Sequence, residues 1–171
     1  IKLQPAGSVA DSDHQKAFHT SRDTSLFIRI NLHCAAIYFL FGFTYVIYVT
    51  FIVTAMVQDH GFGESAAGTF WSWIGFISLV SGPLFGTVSD KLGRKAALAI
   101  VFSIQAIAYF MAAIPSVQYF LFFSIGCYGI VAWSVPTIIT ALVADYTNHQ
   151  QMAAVFGFVT FVFGVGQITG P

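Results

Sequence analysis

Charge is scarce in this sequence. Asp, Glu, Lys and Arg make up 8% of its 171 residues, with seven acids balancing seven bases, whereas soluble domains carry about 25%. That scarcity excludes water as the medium for most of the chain, and the zero net charge removes the basic face that a nucleic-acid binder needs, so no nucleic-acid partner is expected. There are two cysteines, Cys34 and Cys127, in separate apolar segments without CxxC spacing; they read as small buried hydrophobes rather than a disulfide or metal pair. The histidines at 14, 19, 33, 60 and 149 are scattered, with no HExxH and no paired acids. No catalytic set, metal or cofactor is therefore expected, and the chain does not read as an enzyme.

What is present is hydrophobic. Apolar residues make up 57% of the chain and aromatics 17%, including nineteen Phe, and the mean hydropathy is +0.77. Five stretches contain no Asp, Glu, Lys or Arg: about 32–57, 69–89, 96–114, 119–144 and 152–171. Each approaches or exceeds the roughly 20 residues that cross ~30 Å of hydrocarbon at 1.5 Å per residue. Lipid offers no partner to a free backbone amide, so these runs must be helices. The fold class is all-α, a polytopic transmembrane helical bundle.

Alternating spans put residues 1–31, the turn at 90–95 and the loop 145–151 on one side, and loops 58–68 and 115–118 on the other. All seven Lys and Arg fall on the first side, which the positive-inside rule makes cytoplasmic. Trp71 and Trp73 open the second span at the opposite face and suit an interfacial aromatic belt. Residues 1–31 lack the basic and apolar regions of a signal peptide.

Four of the fourteen charged residues crowd into "GTVSDKLGRK", residues 86–95. Gly93 permits a positive φ in a tight turn, and the bases sit on the favoured side. The pattern Gly86-x-x-Ser89-Asp90-Lys91-x-Gly93-Arg94-Lys95, with Leu98 following, resembles the signature that joins the second and third helices of each six-helix half in the major facilitator superfamily. Here too it joins the second and third spans. The runs "FGFTYVIYVTFIV" and "FGFVTFVFGVGQITGP" further resemble the second half of the YbfB/YjiJ-like bacterial transporters. The resemblance implies five spans of one six-helix half, with the final helix missing and 1–31 a cytoplasmic tail or inter-half linker. It also implies a multi-pass protein of the bacterial cytoplasmic (inner) membrane. Its partners would be the lipid bilayer, the missing first half, a small-molecule substrate and a proton as coupling ion.

By the same resemblance, Asp90 would face a helix of the other half, Arg94 would pair with Asp145 at the end of the fourth span, and the cluster would act as a cytoplasmic gate. The alternative for Asp145 is a solvated loop acid. Within the second span Ser78, Gly82 and Gly86 recur at spacing four, a small-residue face suited to close helix packing. Gly166 and Gly170 belong to a similar ending in the fifth. In the superfamily the first and fourth helices of each half line the central cavity. Tyr45 and Tyr48 in span one, with Trp133 and Thr137 in span four, are thus the candidate substrate contacts, and Pro136 can loosen the helix beside them. Gln105, midway along span three, reads as interhelical glue. The absence of carboxylates within the spans places any proton-coupling acid in the other half. The function these features imply is secondary active transport of a small organic solute by alternating access. The alternative is a non-transporting receptor or assembly subunit on the same fold.

Overall fold

The computed structural model describes the backbone of residues 7–59, 61–114 and 118–171, and side-chain surroundings from Phe27 onward except at 59–60, 115–118 and 149. Residues 1–6 of the expected tail and 115–117 of the loop lie outside the described residues, while 7–31 continue into the first span as one helix. Six α-helices follow in order: α1 (Gly7–Thr54), α2 (Glu64–Leu92), α3 (Arg94–Ala112), α4 (Gln118–Val131), α5 (Ser134–Tyr146) and α6 (His149–Thr169); α1 ends in a wider π-helical turn at Ala55–Asp59. Among the described residues five helical stretches are long and apolar enough to cross a membrane: Phe27–Gln58, Glu64–Leu92, Arg94–Ala112, Tyr119–Tyr146 and Gln150–Thr169. The chain is an all-α integral membrane bundle.

Two adjustments to the spans have physical causes. The second helix begins at Glu64, five residues before the apolar stretch at 69–89, because Ser65, Ala66, Ala67 and Gly68 add little hydropathy, yet Ala66 and Ala67 make the helix's first backbone hydrogen bonds to Gly63. The fourth span is two helices, α4 and α5, broken at Ala132–Trp133. Pro136 has no N–H to offer the Ala132 carbonyl, and its ring crowds that carbonyl, which interrupts the helix one turn upstream.

The interior divides along the bundle axis into two apolar clusters. Toward the 90–95 turn, Tyr38 and Phe41 of α1 meet Phe85, Leu98 and Val101, the α5 residues Val135, Ile138 and Ile139, and Val159 of α6. At the other end Tyr48, Ile52 and Met56 pack on Ile74, Ala108, Leu121, Ile125 and Tyr128. Large apolar side chains also point outward, among them Phe76, Leu79, Phe110, Phe161 and Ile168. In water that arrangement would be inverted; in hydrocarbon it is what a lipid-facing helix requires.

Backbone approach decides where α6 sits. A Cβ at Gly42 would collide with the Phe163 carbonyl, one at Gly166 with the Phe39 carbonyl, and one at Gly170 would lie 2.6 Å from the Phe43 carbonyl oxygen. The α1–α6 pair is therefore a seam of small residues against backbone, the kind of close contact that association in lipid depends on.

Candidate functional site

At one end of the bundle α2 turns into α3 through Gly93, whose φ of 87° and ψ of 153° lie in a region that side chains avoid. Its N–H donates to the Ser89 carbonyl at 3.0 Å. The turn aims Arg94 back across α2 and toward α5. Arg94 Nε donates to Asp145 Oδ2 at 2.8 Å, Nη2 reaches Asp145 Oδ1 at 3.4 Å, and Nη1 donates to Ser89 Oγ at 2.9 Å and Asp90 Oδ1 at 2.5 Å. One planar guanidinium thus joins three helices, with a forked hold on Asp145.

The helix ends make this cluster unusual. Asp90 and Asp145 sit in the last turns of α2 and α5, and Arg94 in the first turn of α3, so each charge opposes the dipole of its own helix. Mutual pairing offsets that cost. Because Asp90 and Asp145 remain 68% and 46% exposed, each pair contributes little by itself, about 0–1 kcal/mol. A set of charges that is individually unfavourable and jointly near balance is suited to opening. Lys91 and Lys95 are exposed beside it.

The second feature lies at the α4–α5 break. Trp133 has φ −104° and ψ 8°, in the sparsely populated bridge region. Its backbone N–H donates to Ser81 Oγ of α2 at 3.1 Å, and Ser81 Oγ lies 2.8 Å from Ser134 Oγ. The indole is 55% exposed. It borders a cleft of about 130 Å³ between α1, α2 and the break, whose other walls include Tyr45, Val49, Trp71, Ser78 and Tyr128. Ring faces and a few hydroxyls line it. Among the described residues no group of three His, Cys, Asp or Glu converges anywhere.

Of the four candidate substrate contacts, Tyr45 and Trp133 meet in this cleft. Tyr48 lies elsewhere: it is 5% exposed, stacks on Tyr128 with ring centroids 4.1 Å apart, and bonds Ser124 Oγ at 2.8 Å. Ser124 in turn donates to the Ala108 carbonyl at 2.7 Å, so the Tyr48 hydroxyl is the donor in a chain linking α1, α4 and α3. Its outer edge borders a separate apolar groove of about 320 Å³ between α1 and α3. Thr137 donates to the Trp133 carbonyl at 2.9 Å and packs against Gly82 and Gly86 of α2. Those two glycines therefore receive α5, while Ser78 is buried and bonds back to the Gly75 carbonyl.

Gln105 differs from its expected role. It is buried, yet among the described residues its Nε2 has no partner, and the side chain borders a cavity beside α1. Trp71, two turns into α2, borders the cleft. The spacing of 71, 74, 75 and 78 on one helical face was a readable sign of this. Ser81 carried no local signal, because its partner is 52 residues away.

The comparisons with known proteins agree with this architecture. The profile of the family described as uncharacterised MFS-type transporter YbfB matches residues 3–171. The chain is 28% identical over 120 residues to the quinolone resistance protein NorA of Staphylococcus aureus (strain N315), covering 70% of this chain and 31% of that protein. It is 34% identical over 89 residues to the class D tetracycline resistance protein of Salmonella ordonez, covering 52% of this chain and 22% of that protein. The matched part thus spans less than a third of these curated relatives. No solved structure matches the chain. The helical architecture, the Gly86–Lys95 turn and the profile match over residues 3–171 together establish that the chain belongs to the YbfB-type family of major facilitator superfamily transporters.

Proposed function

We propose that this chain is the second half of a secondary active transporter that moves a small amphipathic organic solute across a bacterial cytoplasmic membrane by alternating access. The observation that carries this reading is the aromatic cleft at a broken helix. Irregular backbone at membrane depth is tolerated only where protein buries it or where it lines a cavity. In this fold that position lies near the bilayer midplane, where substrates bind between repeats. Two relatives named for quinolone and tetracycline resistance support a planar, ring-containing solute. Tyr45, Trp71 and Trp133 would hold such a ring by its faces.

The Asp90–Arg94–Asp145 cluster would be the cytoplasmic gate. Asp90, largely free on its outer side, would dock against a helix N-terminus of the other half in the outward-open state and separate from it when the cytoplasmic side opens. With no Asp, Glu, Lys or Arg in the runs 32–57, 69–89, 96–114, 119–144 and 152–171, a coupling proton would be carried by a carboxylate of the first half.

The test is flux of a planar organic dye by the full-length protein. Trp133→Ala is expected to abolish specific flux with expression unchanged. Normal flux in that variant would remove the cleft from the transport path.

A further inference from the structure

We infer that Ser81 is a positioning residue for Trp133, acting across the α2–α4/α5 interface. This rests on the reading of the cleft as a solute site. Breaking a helix inside hydrocarbon leaves backbone groups that must find partners within the protein. At this break Pro136 leaves the Ala132 carbonyl without its helical donor, the Trp133 N–H falls between the two helices and needs an acceptor, and no N-cap side chain serves the first turn of α5. The acceptor comes instead from another helix. Ser81 Oγ takes the Trp133 N–H at 3.1 Å and is itself paired with Ser134 Oγ at 2.8 Å. Both serines are fully buried, with 0% exposure.

The location matters more than the bond itself. Ser81 touches the backbone of the residue whose side chain forms the cleft wall, yet Ser81 does not line that cleft. It therefore sets where the Trp133 Cα lies and which way the indole leaves the helix, without meeting solute. Thr137, bonded to the Trp133 carbonyl and seated on Gly82, holds the other side of the same residue. Trp133 is thus clamped at its N–H by α2 and at its carbonyl by its own helix, and only the N–H clamp depends on tertiary structure.

The proposal makes Ser81 necessary because of Pro136, and a double-variant cycle in the full-length protein tests that link. Native cysteines are replaced, Trp133→Cys is introduced, and its reaction with a small thiol reagent is timed with and without Ser81→Ala. A shift of roughly fivefold or more in labelling rate is expected, in line with the cost of leaving a buried N–H unsatisfied. In the protein retaining Trp133, the KM for the dye should rise by a similar factor with kcat nearly unchanged, and Ser81→Thr, which keeps the acceptor, should restore it. In a Pro136→Ala background the helix can close on itself, so Ser81→Ala should then shift neither quantity. If Ser81→Ala does not accumulate, Ser81→Ala/Pro136→Ala should; failure of both overturns the proposal. An unchanged labelling rate in the Pro136 protein, or an equal shift in both backgrounds, overturns it as well. A Ser81-dependent labelling rate alongside normal flux in Trp133→Ala upholds the positioning and overturns the transport reading.

Discussion

Arg94 shows how one side chain can join three helices through contacts that are each weak. Its guanidinium reaches Ser89, Asp90 and Asp145 from a single position, but every charge stands at the end of its helix that disfavours it. The planar fork matters here: Lys at position 94 would supply charge without the two-point hold on Asp145. At this scale the prediction concerns populations. Asp90→Asn and Arg94→Ala, singly, should each shift the inward/outward distribution of the full-length protein and lower its transport rate, as read by double electron–electron resonance between spin labels on the two halves. Arg94→Lys should fall between Arg94→Ala and the parent. An unaltered distribution in both Asp90→Asn and Arg94→Ala would mean that the cluster is a static brace.

Among the elements, the contrast between α6 and α5 is instructive. Both meet a neighbour through glycine, but α5 brings a side chain, Thr137, to Gly82 and Gly86, whereas α6 meets the carbonyls of α1 directly. The second kind of contact has no slack, since a backbone cannot rotate out of the way as a side chain can. Gly166→Ala should therefore destabilise the bundle by about 1–3 kcal/mol through overpacking. Gly157→Ala, where nothing lies within 4 Å of the added methyl, should be neutral or slightly stabilising, since Ala favours helix over Gly by ~1 kcal/mol. Thermal unfolding of the two purified variants in detergent checks the difference, and similar melting of both would remove the special role given to the seam. The broken fourth span is the other element-level feature. Pro136 announced a weak point, but the site of the break, the turn at Ala132–Trp133, follows from the carbonyl four residues upstream.

For the whole molecule, orientation is the property from which the functional reading follows. The proposal places the 90–95 turn and residues 1–31 in the cytoplasm, on the strength of seven bases on one side of the spans. With Lys95→Cys as the reporter in a protein whose native cysteines are replaced, a membrane-impermeant thiol reagent should fail to label intact cells and should label after permeabilisation. Labelling from outside would invert the topology and with it the assignment of the gate. The cleft opens on the cluster farther from the 90–95 turn, with Ile74, Tyr128 and Ala132 belonging to both.

Some of this protein was determined by local chemistry along the chain. Long runs without charge must be helices in lipid, a glycine between two such helices allows a tight turn, and Arg94 and Asp145 carry opposite charge near the same end of the bundle. These were legible because each depends on a run of neighbours or on the solvent, and a sequence displays both. Tertiary structure alone decided which rings share a cleft. Tyr45 and Tyr48 are three residues apart on one helix, yet the first borders the Trp133 cleft while the second is stacked on Tyr128 and bonded to Ser124. Helical spacing places both near one face, but only the rotation of α1 against α4 selects between them. Ser81 belongs to the same class: a serine in an apolar run has no address until packing brings a broken helix to its hydroxyl.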